Sequence, residues 1–358
     1  MWPDRRLIDL FKTEFPIVQA PMIGPTDTDM VIAVAQGGAL GSLPCAAIST
    51  EKAREQVNIV RQRVSAPINM NFFCHRGVEP DPSREAGWRN RLSAYYGELG
   101  LDPAAPSNVA NRSPFDEAMC RLIEELKPEV ASFHFGLPDQ ALLRRVKAAG
   151  CIVLSSATIV SEAIWLEQNG ADVIIAQGAE AGGHRGMFLT DDITTQPGLF
   201  ALLPQVVDAV RIPVIAAGGI ADGRGIAAAF ALGAAGVQLG TAYLRCPESK
   251  AIAPAKAAYA AAHDDSTVIT NVMTGRPARG VINRVMREVG PISPDAPAFP
   301  HSALALGPLK VAAEKLGKVD FTNLWAGQAV RMGGEMPAAE LTRALAGSAL
   351  ARLSQLAG

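Results

Sequence analysis

The sequence predicts a (β/α)8 barrel, an α/β fold, with a mostly helical segment appended after the eighth strand. Three observations carry this expectation. Short β-rich runs recur eight times in about the first 240 residues, each followed by a helical pattern. Most of these runs are continuously apolar rather than alternating, as strands covered by helices on both sides are. The polar, glycine and histidine residues cluster where the runs end, which in such a barrel is the face that carries the site.

The strand runs are 15–19, 39–43, 68–72, 130–133, 152–155, 173–176, 214–217 and 237–239. Several begin just after a punctuating glycine or proline, as in Ala149-Gly150-Cys151, Arg211-Ile212-Pro213 and Ala235-Gly236-Val237. Helical patterns fill the intervals at 29–36, 50–64, 115–126, 138–149, 159–169, 199–210 and 223–232. A doubly wound open sheet is the other α/β arrangement in reach, but it usually stops at about five to seven strands. Two segments exceed the bare barrel. Residues 74–114 are polar, rich in Pro, Arg and Asn, and too long for an ordinary connection, so a functional loop or lid that shapes access is expected there. Residues 250–345 read as mostly helical, interrupted at 290–300. The expected division is a barrel over 1–249, and a helical subdomain over 250–358 that covers the barrel mouth and returns to the barrel.

The chain has 358 residues, 49% of them hydrophobic and 19% charged, so a large core is easily supplied. Net charge is −2 with no long run of one sign, which argues against nucleic acid as partner. The five cysteines are odd in number and form no CxxC pair, so neither a disulfide framework nor a zinc site is indicated, and a reducing cytoplasm is expected. Met1-Trp2-Pro3-Asp4-Arg5-Arg6 lacks an apolar signal core. The uncharged stretch 225–244 is rich in alanine and glycine and holds Gln238, so it reads as a buried helix and a strand rather than a membrane span.

The most informative stretch is Gln177-Gly-Ala-Glu-Ala-Gly-Gly-His184-Arg-Gly186, which follows the sixth strand run. Four glycines in ten residues, Gly182 and Gly183 among them, let the backbone approach a flat ligand, and a histidine changes charge near neutral pH. A second histidine, His134, ends the fourth run. Ala217-Gly218-Gly219 and Gly240-Thr241 follow runs seven and eight, where backbone amides and a helix N-terminus form the usual phosphate site of such barrels. With the amides of Asn69, Gln177 and Gln238 and the apolar bed Ala20-Pro21-Met22, this set suits flavin mononucleotide (FMN). No GxGxxG fingerprint follows the first run, which disfavours a tightly held dinucleotide. The histidines have no nearby acidic ligand and make a weak metal site, so no metal is expected. His75, His263 and His301 fall in insertions and receive no role.

Gln19-Ala-Pro-Met22, Asn69-Met-Asn-Phe72, His134, the loop 178–185 and Ala216-Ala-Gly-Gly-Ile220 together resemble the nitronate monooxygenases, class I, formerly called 2-nitropropane dioxygenases. The resemblance runs from about residue 7 to 345. It implies one non-covalent FMN and the oxidation by O2 of small anionic alkyl nitronates, such as propionate 3-nitronate, to a carbonyl compound and nitrite. It implies His184 as base or anion-stabilising group, His134 near the flavin, and a lysine for which Lys310 is the candidate. On this reading a protonated His184 and Lys310 hold the anion at the mouth. The four tyrosines of the chain include none in 297–300, where Phe299 stands, so a tyrosine role seen in the family is in doubt. The glycine-histidine loop is also similar to that of flavin-dependent enoyl reductases and NADH:quinone reductases, which makes an FMN-dependent NAD(P)H oxidoreductase the nearest alternative. A non-catalytic phosphate- or flavin-binding protein would keep the glycine pairs without needing His184.

Overall fold

The computed structural model describes residues 1–104 and 112–357. Eight parallel strands form one sheet: β1 (Ile17–Gln19), β2 (Gly41–Pro44), β3 (Ile68–Phe73), β4 (Val130–His134), β5 (Ile152–Ala157), β6 (Val173–Gln177), β7 (Val214–Ala217) and β8 (Gly236–Leu239). Each lies beside its neighbours in sequence, and β8 pairs with β1. A parallel bridge between Val18 and Leu40 joins β1 to β2 and closes the barrel. The expected strand ends agree with these to within two residues.

Side chains alternate along the strands. Val18, Leu40, Val130, Leu154, Val173, Ile175, Ile215 and Ala217 fill the barrel interior in one cluster with Leu7 and Phe11 of the helix Arg6–Phe11. That helix seals the N-terminal end, and its approach is close: a Cβ on Gly236 would meet Pro16 O at 2.5 Å and Leu7 Cδ1 at 2.7 Å. The alternate positions, such as Ile174, Ala176, Val214 and Val237, face the outer helices.

The long helix Ala338–Ala357 packs against the helices Thr28–Gln36 and Gly223–Ala231 and so takes the eighth helical place of the barrel. The segment between β8 and this helix is mostly helical, but it also carries a hairpin, β9 (Thr267–Thr270) with β10 (Ala278–Val281). The sequence reading took this segment as helical and missed the hairpin, because Arg279 and Gly280 break the apolar signal of the second strand.

The 74–114 insertion is more than a loop where it is described. It forms the helices Pro82–Arg91 and Ser93–Glu98. Trp88, Tyr95 and Tyr96 are buried against Val272, Met286, Leu306, Leu309 and Phe321. Trp88 Nε1 donates to Ser302 O at 3.2 Å, and the Tyr96 hydroxyl donates to Ala305 O at 2.6 Å. The insertion and the C-terminal segment therefore share one core above the strand ends. Residues 105–111 of the expected lid lie outside the described residues. No described helix is long and apolar enough to cross a membrane.

Candidate active site

A cavity of about 390 Å³ opens at the C-terminal ends of the strands, a usual size for a small-molecule site. Ala20, Pro21 and Met22 line it from β1, His134 from β4, Gln177 from β6, Ala217, Gly218 and Gly219 from β7, and Gln238, Gly240 and Thr241 from β8. Gly182, Gly183 and His184 enter from the loop after β6, and Lys310 from the helix Ser302–Lys315. Asn69 is the exception among the residues expected here. Its Nδ2 donates to Ser42 Oγ at 2.9 Å inside the barrel. A strand rises about 3.3 Å per residue, so Asn69 sits about 7 Å deeper than Asn71 on the same face. Asn71 reaches the cavity and donates to Ser132 Oγ at 3.0 Å.

The loop that carries His184 is held from several sides. Gly183–His184 pairs antiparallel with Ala278–Arg279 of β10. The His184 carbonyl accepts from Gln177 Nε2 at 3.0 Å and from His134 Nε2 at 3.1 Å. Gln177 Oε1 accepts from Gly186 N–H at 2.7 Å, so both ends of this amide are used by the loop. Arg185 is buried and donates to Gly178 O, Gln177 O and Gln196 Oε1. Glu162, also buried, accepts from Phe188 N–H at 2.6 Å and Thr158 N–H at 2.7 Å. Glu180 accepts from Leu199 N–H and caps the following helix. Two loop glycines are demanded by packing. A Cβ on Gly182 would lie 2.5 Å from Gly327 N, and one on Gly186 would lie 2.9 Å from His134 Cε1.

These contacts fix the imidazoles chemically. The His184 carbonyl is only an acceptor, so His134 carries its proton on Nε2, and Ser156 donates to Nδ1 at 3.1 Å. Burial drops the His134 pKa to about 4, with Arg276 and Arg185 adding to the effect. The His184 ring is enclosed by Phe73, Phe135, Phe299 and Trp325, with centroids at 6.1, 6.0, 5.4 and 5.5 Å. Burial first, then Arg112, His134 and Arg276, hold its pKa well below 6.5. His184 is therefore neutral at pH 7, which corrects the expectation of a protonated ring. Its Nε2 lies 2.9 Å from Thr274 Oγ1, whose own hydroxyl reaches Arg276 O at 3.4 Å. With Nε2 donating to Thr274, the lone pair stays on Nδ1, free to take a proton.

At the end of β7, Gly218 and Gly219 have φ of +119° and +69°. These left-handed turns suit glycine and bring the backbone to the cavity surface. Thr241 Oγ1 accepts from Gly327 N–H at 2.9 Å. Gln238 Oε1 is buried and has no hydrogen-bond partner. A buried acceptor without a donor costs about 1–3 kcal/mol, so this atom calls for a ligand donor.

The sequence reading missed Phe73, His75, Arg112, Phe135, Thr274, Arg276 and Trp325 around His184. His75 was set aside with its insertion, yet its ring meets Phe299 edge-on at 4.8 Å. The doublet Phe72-Phe73 was the available signal for Phe73; nothing local marked the rest.

A family model described as nitronate monooxygenase matches residues 4–347. The chain belongs to the nitronate monooxygenase family. It is 40% identical over 342 residues to a nitronate monooxygenase of Pseudomonas aeruginosa, covering 95% of this chain and 97% of that protein. It is 39% identical over 343 residues to one of Paraburkholderia phytofirmans, covering 95% and 94%. Among solved structures, a nitroalkane oxidase of Streptomyces ansochromogenes superposes with a TM-score of 0.89 at 36% identity, covering 98% of this chain and 99% of that one. FabK of Thermotoga maritima superposes with a TM-score of 0.74 at 26% identity, covering 99% and 98%. The chain is thus an oxidoreductase on the nitronate monooxygenase scaffold, with the barrel fold of its relatives.

Proposed function

We propose that the protein is an FMN-dependent nitronate monooxygenase that oxidises alkyl nitronates such as propionate 3-nitronate with O2 to carbonyl compounds and nitrite. The observation that carries this reading is that His184 and the glycine turns at Gly218-Gly219 and Gly240-Thr241 line one cavity. The residues fit FMN. The turns would take its phosphate, the unpartnered Gln238 Oε1 would accept from the ring edge, and Ala20-Pro21-Met22 would bed the ring. FMN, when bound, supplies the electron transfer between nitronate and O2.

The chain's own residues position and charge the site. A nitronate is already deprotonated, so no strong base is required for it. Neutral His184 serves as proton acceptor for neutral nitroalkanes, where a positioned base contributes about 10²–10⁴-fold in rate. His134 and Gln177 act through the His184 carbonyl and set the ring's place. Lys310, whose nearest carboxylate is Glu314 at 3.9 Å, gives positive charge at the mouth. Its side chain is 40% exposed, so its pull on an anion is screened. The five unpaired cysteines suit a cytoplasmic protein.

The test is aerobic nitrite release from propionate 3-nitronate by the purified protein, with the flavin released by heat identified as FMN. Nitrite formed in proportion to FMN content supports the reading. FMN-loaded protein that forms no nitrite from any alkyl nitronate overturns it.

A further inference from the structure

Arg112 lines the cavity, and among the described residues no carboxylate is paired with it. Its place is fixed from two sides. Its backbone hydrogen-bonds the His75 ring, and three residues on, Phe115 N–H donates to Phe73 O at 2.7 Å. The guanidinium carbon lies 5.8 Å from the Phe299 ring centroid. That same ring meets His184 at 5.4 Å. Nη1 is buried without a hydrogen-bond partner, and among the described residues no carboxylate pairs with this side chain.

An unpaired buried charge is costly, which is why such groups are normally paired or hydrogen-bonded. The other arginines at this end follow that rule more closely. Arg185 donates from all three nitrogens, to Gly178 O, Gln177 O and Gln196 Oε1. Arg279 donates to Ala179 O and Thr267 O. Arg276 lies over the Phe135 ring at 4.1 Å and donates to Met187 O; its Nε is likewise buried without a partner, but the residue does not line the cavity. Arg112 alone of these lines the cavity with a free donor. A planar guanidinium fork matches two oxygens on one atom, as in a carboxylate or a nitronate.

Resting on the nitronate reading above, we propose that Arg112 binds the anionic group of the substrate and sets the preference for planar anions over neutral nitroalkanes. The neutrality of His184 supports this, since that ring then supplies no charge.

The experiment uses the FMN-loaded protein and nitrate, a planar unreactive anion, titrated by calorimetry into the unaltered protein, R112Q and R112K. A charge-assisted contact of this kind is worth about 10- to 100-fold in affinity. R112Q should weaken nitrate at least tenfold at equal flavin content, and R112K should recover part of the loss. In parallel, the ratio of kcat/KM for ethyl nitronate to that for nitroethane should fall at least tenfold in R112Q. Nitrate affinity within threefold of the unaltered protein, or no nitrate binding by the unaltered protein, overturns the proposal. If R112Q does not fold, R112K decides: unchanged nitrate affinity overturns the assignment. Failure of the activity reading looks different. Nitrate would still bind through Arg112, but neither ethyl nitronate nor nitroethane would be turned over.

Discussion

Replacing Gln177 by Met tests whether the His184 loop is held as the contacts imply. Met keeps the length and shape of the side chain but removes both polar ends. Gly186 N–H then loses its acceptor at 2.7 Å, and the His184 carbonyl keeps only His134. A buried donor left unpaired costs about 1–3 kcal/mol, and the lost bond to the carbonyl about 1 kcal/mol more. The expected destabilisation is about 2–4 kcal/mol. With about 2.1 cal/mol/K of unfolding entropy per residue over 358 residues, Tm should fall by roughly 3–5 °C. The functional effect is larger in proportion, because a displacement of about 1 Å in a catalytic group costs about 10²-fold in rate. Differential scanning calorimetry and steady-state kinetics with an alkyl nitronate read the two effects. A Tm within 1 °C of the unaltered protein, together with an unchanged kcat, would refute the claim that Gln177 holds this loop.

Two further outcomes are expected. Stability should fall as pH drops from about 6.5 towards 4, because the unfolded chain takes up a proton at His134 that the folded chain, with its pKa near 4, does not. The buried ring accounts for about 3 kcal/mol across that window, and H134N should flatten the slope of Tm against pH; an identical slope in H134N would count against a buried neutral His134. Gly218 has φ of +119°, and a Cβ there would lie 3.0 Å from Ala181 N. Gly218→Ala should therefore weaken FMN about 5- to 100-fold, through strain of about 1–3 kcal/mol, in a flavin-fluorescence titration; full FMN retention would remove this turn from the cofactor site.

The barrel was legible because its signal is local. Buried parallel strands are short apolar runs between glycine and proline, and all eight survive as strands in the fold. The cavity was legible because strand ends converge on one face, which brings residues as distant as Ala20 and Thr241 to the same space. Depth was not legible: Asn69 and Asn71 share a face, and only the barrel's dimensions decide which one reaches the cavity. Charge state was not legible either, since His184 is neutral through its enclosure by four aromatic rings from distant segments. Arg112 read only as part of a polar insertion expected to shape access, and packing turns it towards the site. Nor was packing demand legible: Gly182 lines the cavity, and its lack of a Cβ is also needed to admit Gly327.

The central claim is most directly tested by anaerobic stopped-flow absorbance of the FMN-loaded protein, mixed separately with propionate 3-nitronate and with NADH. The account predicts a rapid change in the flavin spectrum with the nitronate and an oxidised flavin that persists with NADH. Fast bleaching by NADH with no response to the nitronate would contradict it and make the protein a flavin-dependent NAD(P)H oxidoreductase.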